Sequence, residues 1–197
     1  MTRIIYTLAF TGGFVIMSLE LLGGRVLAPY FGSSIHVWGS IISIFMLSLA
    51  LGYLLGGWLS LRAPSMARFG LIFLIAAIAL YPLGYLSEPT LAWIFRSVED
   101  PRYGSLLASA MLFVIPTVIL GTISPYSVRL LVETAERSGQ VAGRLYFIST
   151  LGSALGTLAT SFYFVLWFEI NTILTLLTLA LVLIGIVGIV AHKRALL

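Results

Sequence analysis

Cysteine is absent from the 197 residues, and charge is scarce: Asp, Glu, Lys and Arg together make up only 9% of the chain. Without a thiol there is no disulfide framework, thiolate metal site or thiol nucleophile. The two histidines, His36 and His192, lie far apart in the sequence. They offer neither a metal-spaced cluster with carboxylates nor a Ser-His-Asp arrangement, and no GxxxxGK run is present to cradle a phosphate. No cofactor or metal is called for, and an enzyme acting alone is not expected. The 11 basic residues fall mainly at the ends of apolar runs, which suits membrane topology and argues against a nucleic-acid partner.

What the chain does have is apolar length. Hydrophobic residues make up 60% of it, and the mean hydropathy is +1.10. Soluble domains are about a quarter charged, so the chain reads as an all-α integral membrane protein. Six apolar segments run from Ile4 to Leu27, Val37 to Leu61, Phe69 to Leu86, Ser105 to Ser124, Leu145 to Phe168 and Thr172 to Ala191. Each approaches the roughly 20 residues needed to cross about 30 Å of hydrocarbon. The expectation is a single six-helix domain over residues 1–197, its first segment a retained span rather than a cleaved leader.

The basic residues orient it. Arg3, Arg62, Arg68, Arg129, Arg137, Arg144, Lys193 and Arg194 all fall on one side, against Arg96 and Arg102 in the connections on the other. By the positive-inside rule both termini face the cytoplasm of a bacterial inner membrane. The longest connections, Ser87 to Gly104 outside and Pro125 to Arg144 inside, are too short to fold around a nucleotide or a methyl donor. The inner one reads as a surface helix ending near Ser138-Gly139, with Glu133 and Arg137 spaced as an i,i+4 pair. It is either a solvated connector or a docking face for a cytosolic partner.

Two segments carry rows of small residues. Ser48, Gly52 and Gly56 recur at every fourth position in the second, and Gly152, Gly156 and Thr160 in the fifth. Such rows let helix backbones approach where lipid offers no hydrophobic drive, so both are expected to be packing helices. Gly24-Arg25 precedes the second segment and Gly143-Arg144 the fifth, which suggests a three-plus-three inverted repeat. In the fourth segment Pro116 and Pro125 each free a carbonyl one turn earlier, giving a kink or interruption of the kind found along cavity walls.

Charge inside an apolar segment is the anomaly. With a helix starting near Ile4, Glu20 lies about 24 Å along it and Arg25 about 31 Å, at about 1.5 Å per residue. A carboxylate at that depth marks a cation, proton or ligand pathway, or else a structural ion pair or hydrogen bond. Five residues place Arg25 about 140° away around the axis, so the two meet only if Gly23-Gly24 breaks the helix. Otherwise the Arg25 side chain snorkels to the headgroups. Tyr30, His36 and Trp38 follow in a short loop, as interfacial anchors and a solvated histidine, or as the mouth of a cavity containing Glu20.

The run ELLGGRVLAPYFGSSIHVWGSIISIFMLSLALGYLLGG, with the later ISPYSVRLL and GRLYFISTLGSALGT, resembles the integral-membrane part of bacterial fused major-facilitator/spermidine-synthase proteins. The similarity covers most of the chain. Positions matching that pattern are Glu20, Arg25, Pro29, Gly32, Trp38, Pro125, Arg144, Tyr146, Ser149, Thr150, Gly152 and Ser153. In that family the membrane region is commonly joined to an aminopropyltransferase-like domain, whereas this sequence ends with AHKRALL after its sixth segment. The resemblance therefore implies a free-standing module without synthase activity, transporter-like for a small cationic or polar solute such as a polyamine. Glu20, Arg25, His36, Trp38, Tyr146 and Ser149 are the candidate substrate or ion contacts, with Arg25 modulating Glu20.

The major-facilitator gating signature G-x-L-x-D-R has its counterpart in Gly57-Trp58-Leu59-Ser60-Leu61-Arg62, with Leu61 where Asp is expected. Six helices are also half of a major-facilitator bundle, so a carrier of that kind would act as a homodimer. The other reading is a membrane anchor or regulatory partner for a separately encoded aminopropyltransferase-like enzyme.

Overall fold

A computed structural model describes residues 1–132 and 134–194, and among these every regular element is helical. Helix α1 spans Thr2–Phe31, α2 Ile35–Ser60, α3 Met66–Leu80, α4 Leu83–Ser97, α5 Pro101–Gly121 and α6 Ile123–Leu131. A 3₁₀ turn, Ala135–Arg137, leads into α7, Ser138–Ala159. The same rod continues through a π segment, Thr160–Phe164, and α8, Val165–Trp167, before α9, Ile170–Arg194. Five helices are long and apolar enough to cross a membrane, or six if α3 and α4, bent by 44°, count as one span. Ile4 lies beside Ala191 and Arg194, so both termini are at one end of the bundle.

Local chemistry sets the ends of these helices. Gly32, at φ 75°, adopts the left-handed conformation that stops α1, and its N–H bonds to the Ala28 carbonyl at 2.9 Å. Ser65 caps α3 by accepting the Arg68 N–H, and Tyr126 of α6 holds the preceding loop by accepting the Ser65 N–H at 3.1 Å. The Tyr126 ring stacks on Phe69, with centroids 5.6 Å apart. The Arg62 guanidinium lies 3.8 Å over the Trp58 ring, so the residue that would end a gating signature here packs on its own helix.

Three expectations need correction. The third apolar segment does not end at Leu86: it breaks at Tyr81-Pro82, where proline lacks the N–H its helix needs, and resumes as α4 through Ser97. Glu88 and Arg96 are therefore helical, not loop, residues. The surface helix from Pro125 towards Ser138 does not form, because Ile123, Tyr126 and Ser127 are buried and α6 continues the fourth span. Ser138-Gly139 opens α7 instead of ending a helix, and Glu133 lies outside the described residues. Finally, α5 runs through Pro116 uninterrupted, and the interruption falls at Thr122, where Pro125 cannot donate to the Gly121 carbonyl.

The closest packing joins α1 to α7, α2 to α5 and α3 to α9. A Cβ at Gly152 or Gly156 would fall on the Phe10 or Phe14 carbonyl, and one at Gly52 or Gly56 on the Val118 or Thr122 carbonyl. Gly70 and Gly185 face each other's backbones between α3 and α9. The expected packing role of Gly52, Gly56, Gly152 and Gly156 is thus a matter of backbone touching backbone. Gly152→Val should cost about 1–3 kcal/mol through overpacking and lower the thermal midpoint in detergent. Gly57→Val, at an open position, should leave that midpoint nearly unchanged.

Asp100 caps α5 ahead of Pro101 and pairs with Arg102 at 2.8 Å, the one ion pair among the described residues. The hydrogen bonds from the Arg102 side chain and N–H hold its carboxyl below the usual carboxylate range. With the folded value lowered, this contribution is present above the unfolded value of about 3.9 and lost as pH falls through the folded one. Thermal melts across acid pH should show a shallower loss below about pH 4 in Asp100→Asn than in the parent. An identical acid slope would remove the carboxylate from the account.

Candidate functional site

Helix α1 presents Gly13, Met17, Glu20 and Gly24 at steps of four, three and four residues, which puts them on one stripe. Gly13 abuts the Ser149 carbonyl of α7, and a Cβ at Gly24 would enter the Trp38 ring of α2. The stripe therefore faces the furrow between α2 and α7, two helices that do not pack closely on each other.

A cavity of about 460 Å³ occupies this furrow near the middle of the spans. Gly13, Ile16 and Met17 form its α1 wall, Leu49 and Tyr53 its α2 wall, and Ser124 and Pro125 its α6 wall. Helix α7 contributes Tyr146, Ser149, Thr150 and Ser153. The α6 wall lies just past the one-residue break at Thr122, on a span that continues as one helix through Leu131. The lining carries no formal charge and six hydroxyl groups: those of Tyr53, Ser124, Tyr146, Ser149, Thr150 and Ser153. Such a surface can donate and accept hydrogen bonds in an otherwise apolar setting.

Of the candidate residues, Tyr146 and Ser149 line the cavity. Glu20 sits one turn beyond Met17 on the same stripe, half-buried, and among the described residues has neither an ion pair nor a hydrogen bond. Trp38 closes the stripe at its far end, over Gly24. His36 does not join them: its Nε2 lies 2.8 Å from Ser34 Oγ at the start of α2. Arg25 goes elsewhere too. Because α1 is unbroken through Gly23-Gly24, the guanidinium points away from Glu20 and donates through Nη1 to the Val165 carbonyl at 2.8 Å. An ion pair between Glu20 and Arg25 is accordingly absent.

Sequence reasoning passed over Tyr53 and Ser124. Tyr53 follows Gly52 in a row of small residues, and Ser124 joins the wall only through the packing of α6 beside α1 and α7. No protein-family model, curated protein or solved structure matches the chain, so its function has to be argued from this geometry.

Proposed function

We propose that this chain is a transporter-like membrane module for a small cationic or polar solute, polyamine-related, working as a homodimer in a bacterial inner membrane with both termini cytoplasmic. The observation that carries the reading is the makeup of the mid-span cavity. Phe10, Gly13 and Phe14 of α1 make the same backbone contacts with α7 that Val118, Gly121 and Thr122, each 108 residues further on, make with α2. In the same way Leu49, Gly52 and Gly56 correspond to Ser149, Gly152 and Gly156, each 100 residues on. The corresponding helices run in opposite directions, and the reciprocal Gly70 and Gly185 contact maps onto itself.

Eight of the eleven residues lining the cavity fall into pairs along these lines: Ile16 with Ser124, Met17 with Pro125, Leu49 with Ser149, and Tyr53 with Ser153. A three-plus-three inverted repeat whose axis passes through a mid-membrane cavity accounts for all four pairs. That is where transporters built from such repeats bind their solutes. Half-buried and unpaired, Glu20 is the cation-facing or proton-linked group beside it. Tyr53 and Tyr146 on the cavity wall are exposed, and a second copy placed over them would enclose the cavity, as the second half does in a twelve-helix carrier. The orientation draws on the basic side chains gathered at the termini end.

A second reading, a membrane partner for an aminopropyltransferase-like enzyme, has one observation in its favour: Thr134 to Gln140 is fully exposed at the end of the bundle. Reconstitution separates the two. Purified protein in liposomes should take up labelled spermidine, and Glu20→Gln should reduce that uptake at least tenfold with the thermal midpoint unchanged. Uptake unaffected by Glu20→Gln would overturn the assignment of this residue. Absence of uptake, with loss of enzyme recruitment in Arg129→Glu or Arg137→Glu, would favour the partner reading.

A further inference from the structure

A second and larger cavity, about 540 Å³, lies at the end of the bundle away from the termini. Two departures from regular helix lie beside it. The 44° bend at Tyr81-Pro82 swings α4 so that Gly84, Ser87 and Glu88 form one wall. On another side the π segment Thr160–Phe164 and the end of α8 turn the Val165 carbonyl towards α1, where Arg25 binds it. The third wall is the start of α9, with Glu169 immediately before it and Asn171 in its first turn. π segments recur at functional sites.

The chemistry of the lining is specific. Glu88 and Glu169 face the cavity with no ion-pair partner among the described residues. Glu169 precedes the N-terminus of α9, where the helix dipole favours a negative charge. Arg25 is the one basic group on the wall, and one of its N–H groups is already used on a carbonyl. The cavity therefore carries a formal charge of −1, from two carboxylates and one guanidinium, with the Asn171 carboxamide and the Ser87 hydroxyl as further oxygen acceptors. The Asn171 oxygen stands 3.5 Å from where a Cβ on Gly84 would sit, so the missing side chain keeps the space between α4 and α9 open.

We propose that this cavity is a recognition subsite for a primary alkylammonium, an aliphatic cation carrying one or two ammonium groups. Each ammonium has three N–H donors and no acceptor, which matches a wall of carboxylate, carboxamide and hydroxyl oxygens. The proposal deepens the transporter reading by adding a place where the solute is selected before it reaches the mid-span cavity. It rests on that reading only for this second step, because binding is measured without transport.

The test is calorimetric titration of the full-length protein in detergent with 1,4-diaminobutane, 4-aminobutyrate and butyrate. The diamine should bind at least tenfold more tightly than 4-aminobutyrate, and butyrate not at all. Glu88→Gln combined with Glu169→Gln should weaken the diamine at least tenfold without moving the thermal midpoint, and Gly84→Leu should do the same by filling the space with both carboxylates kept. No diamine binding, equal binding of 4-aminobutyrate, or binding indifferent to the double substitution would overturn the subsite. Uptake into liposomes, measured alongside, separates the two ideas. Uptake that survives the double substitution, with no charge-selective binding, sinks the subsite and leaves transport standing. Charge-selective binding without uptake supports the subsite and sinks transport.

Discussion

Everything else in this bundle depends on helices that touch through their backbones. Lipid gives apolar side chains no reason to prefer one another, so association relies on close van der Waals approach, and only glycine lets two helix axes come that near. Gly152 and Gly156 seat α7 on α1, Gly52 and Gly56 seat α2 on α5 and α6, and Gly70 with Gly185 seats α3 on α9. Once these three pairs are clamped, the chain has little freedom left in how the pairs meet. The mid-span cavity is the space left beside the α1–α7 contact at Gly13 and Ser149, where α2 and α6 form the other walls.

Proline and the π segment act against this background as local releases. Proline removes a donor, and the helix either tolerates the loss, as at Pro116, or yields, as before Pro125 and at Pro82. The two yielding sites fall beside the two cavities. Charge follows the same geography. Arg25, exposed at the end of the bundle, donates to a carbonyl that the end of its neighbour leaves free, whereas Glu20 has no such partner among the described residues. A lone carboxylate inside an apolar segment costs free energy unless it is paired or protonated.

Much of this was legible in the residues. Six apolar runs, the glycine rows of the second and fifth, and the break associated with Pro125 all follow from local rules, because hydropathy, helix propensity and the missing proline N–H act over a few residues. Tyr146 and Ser149 were picked out from the family pattern, and the cavity does include them. Other features were not legible. Pro125 to Ser138 reads as a surface helix because Arg129 and its polar neighbours look solvated, but Tyr126 is drawn inward onto Phe69 and Ser65. Whether His36 belongs with Glu20 depended on which way a short loop turned, and Gly32 turned it so that His36 meets Ser34 instead.

By itself the sequence determined that the chain is helical, apolar enough for a membrane, and able to bring helices close where glycines recur. Only the tertiary structure decided which glycine row meets which backbone, that Glu20 and Arg25 part company, and that Tyr53, Ser124 and Ser153 share one cavity. The reason is physical. Hydropathy and propensity act on neighbours in sequence, whereas a cavity is the space left by helices that pack from opposite ends of the chain, and that space is specified only when all of them are in place.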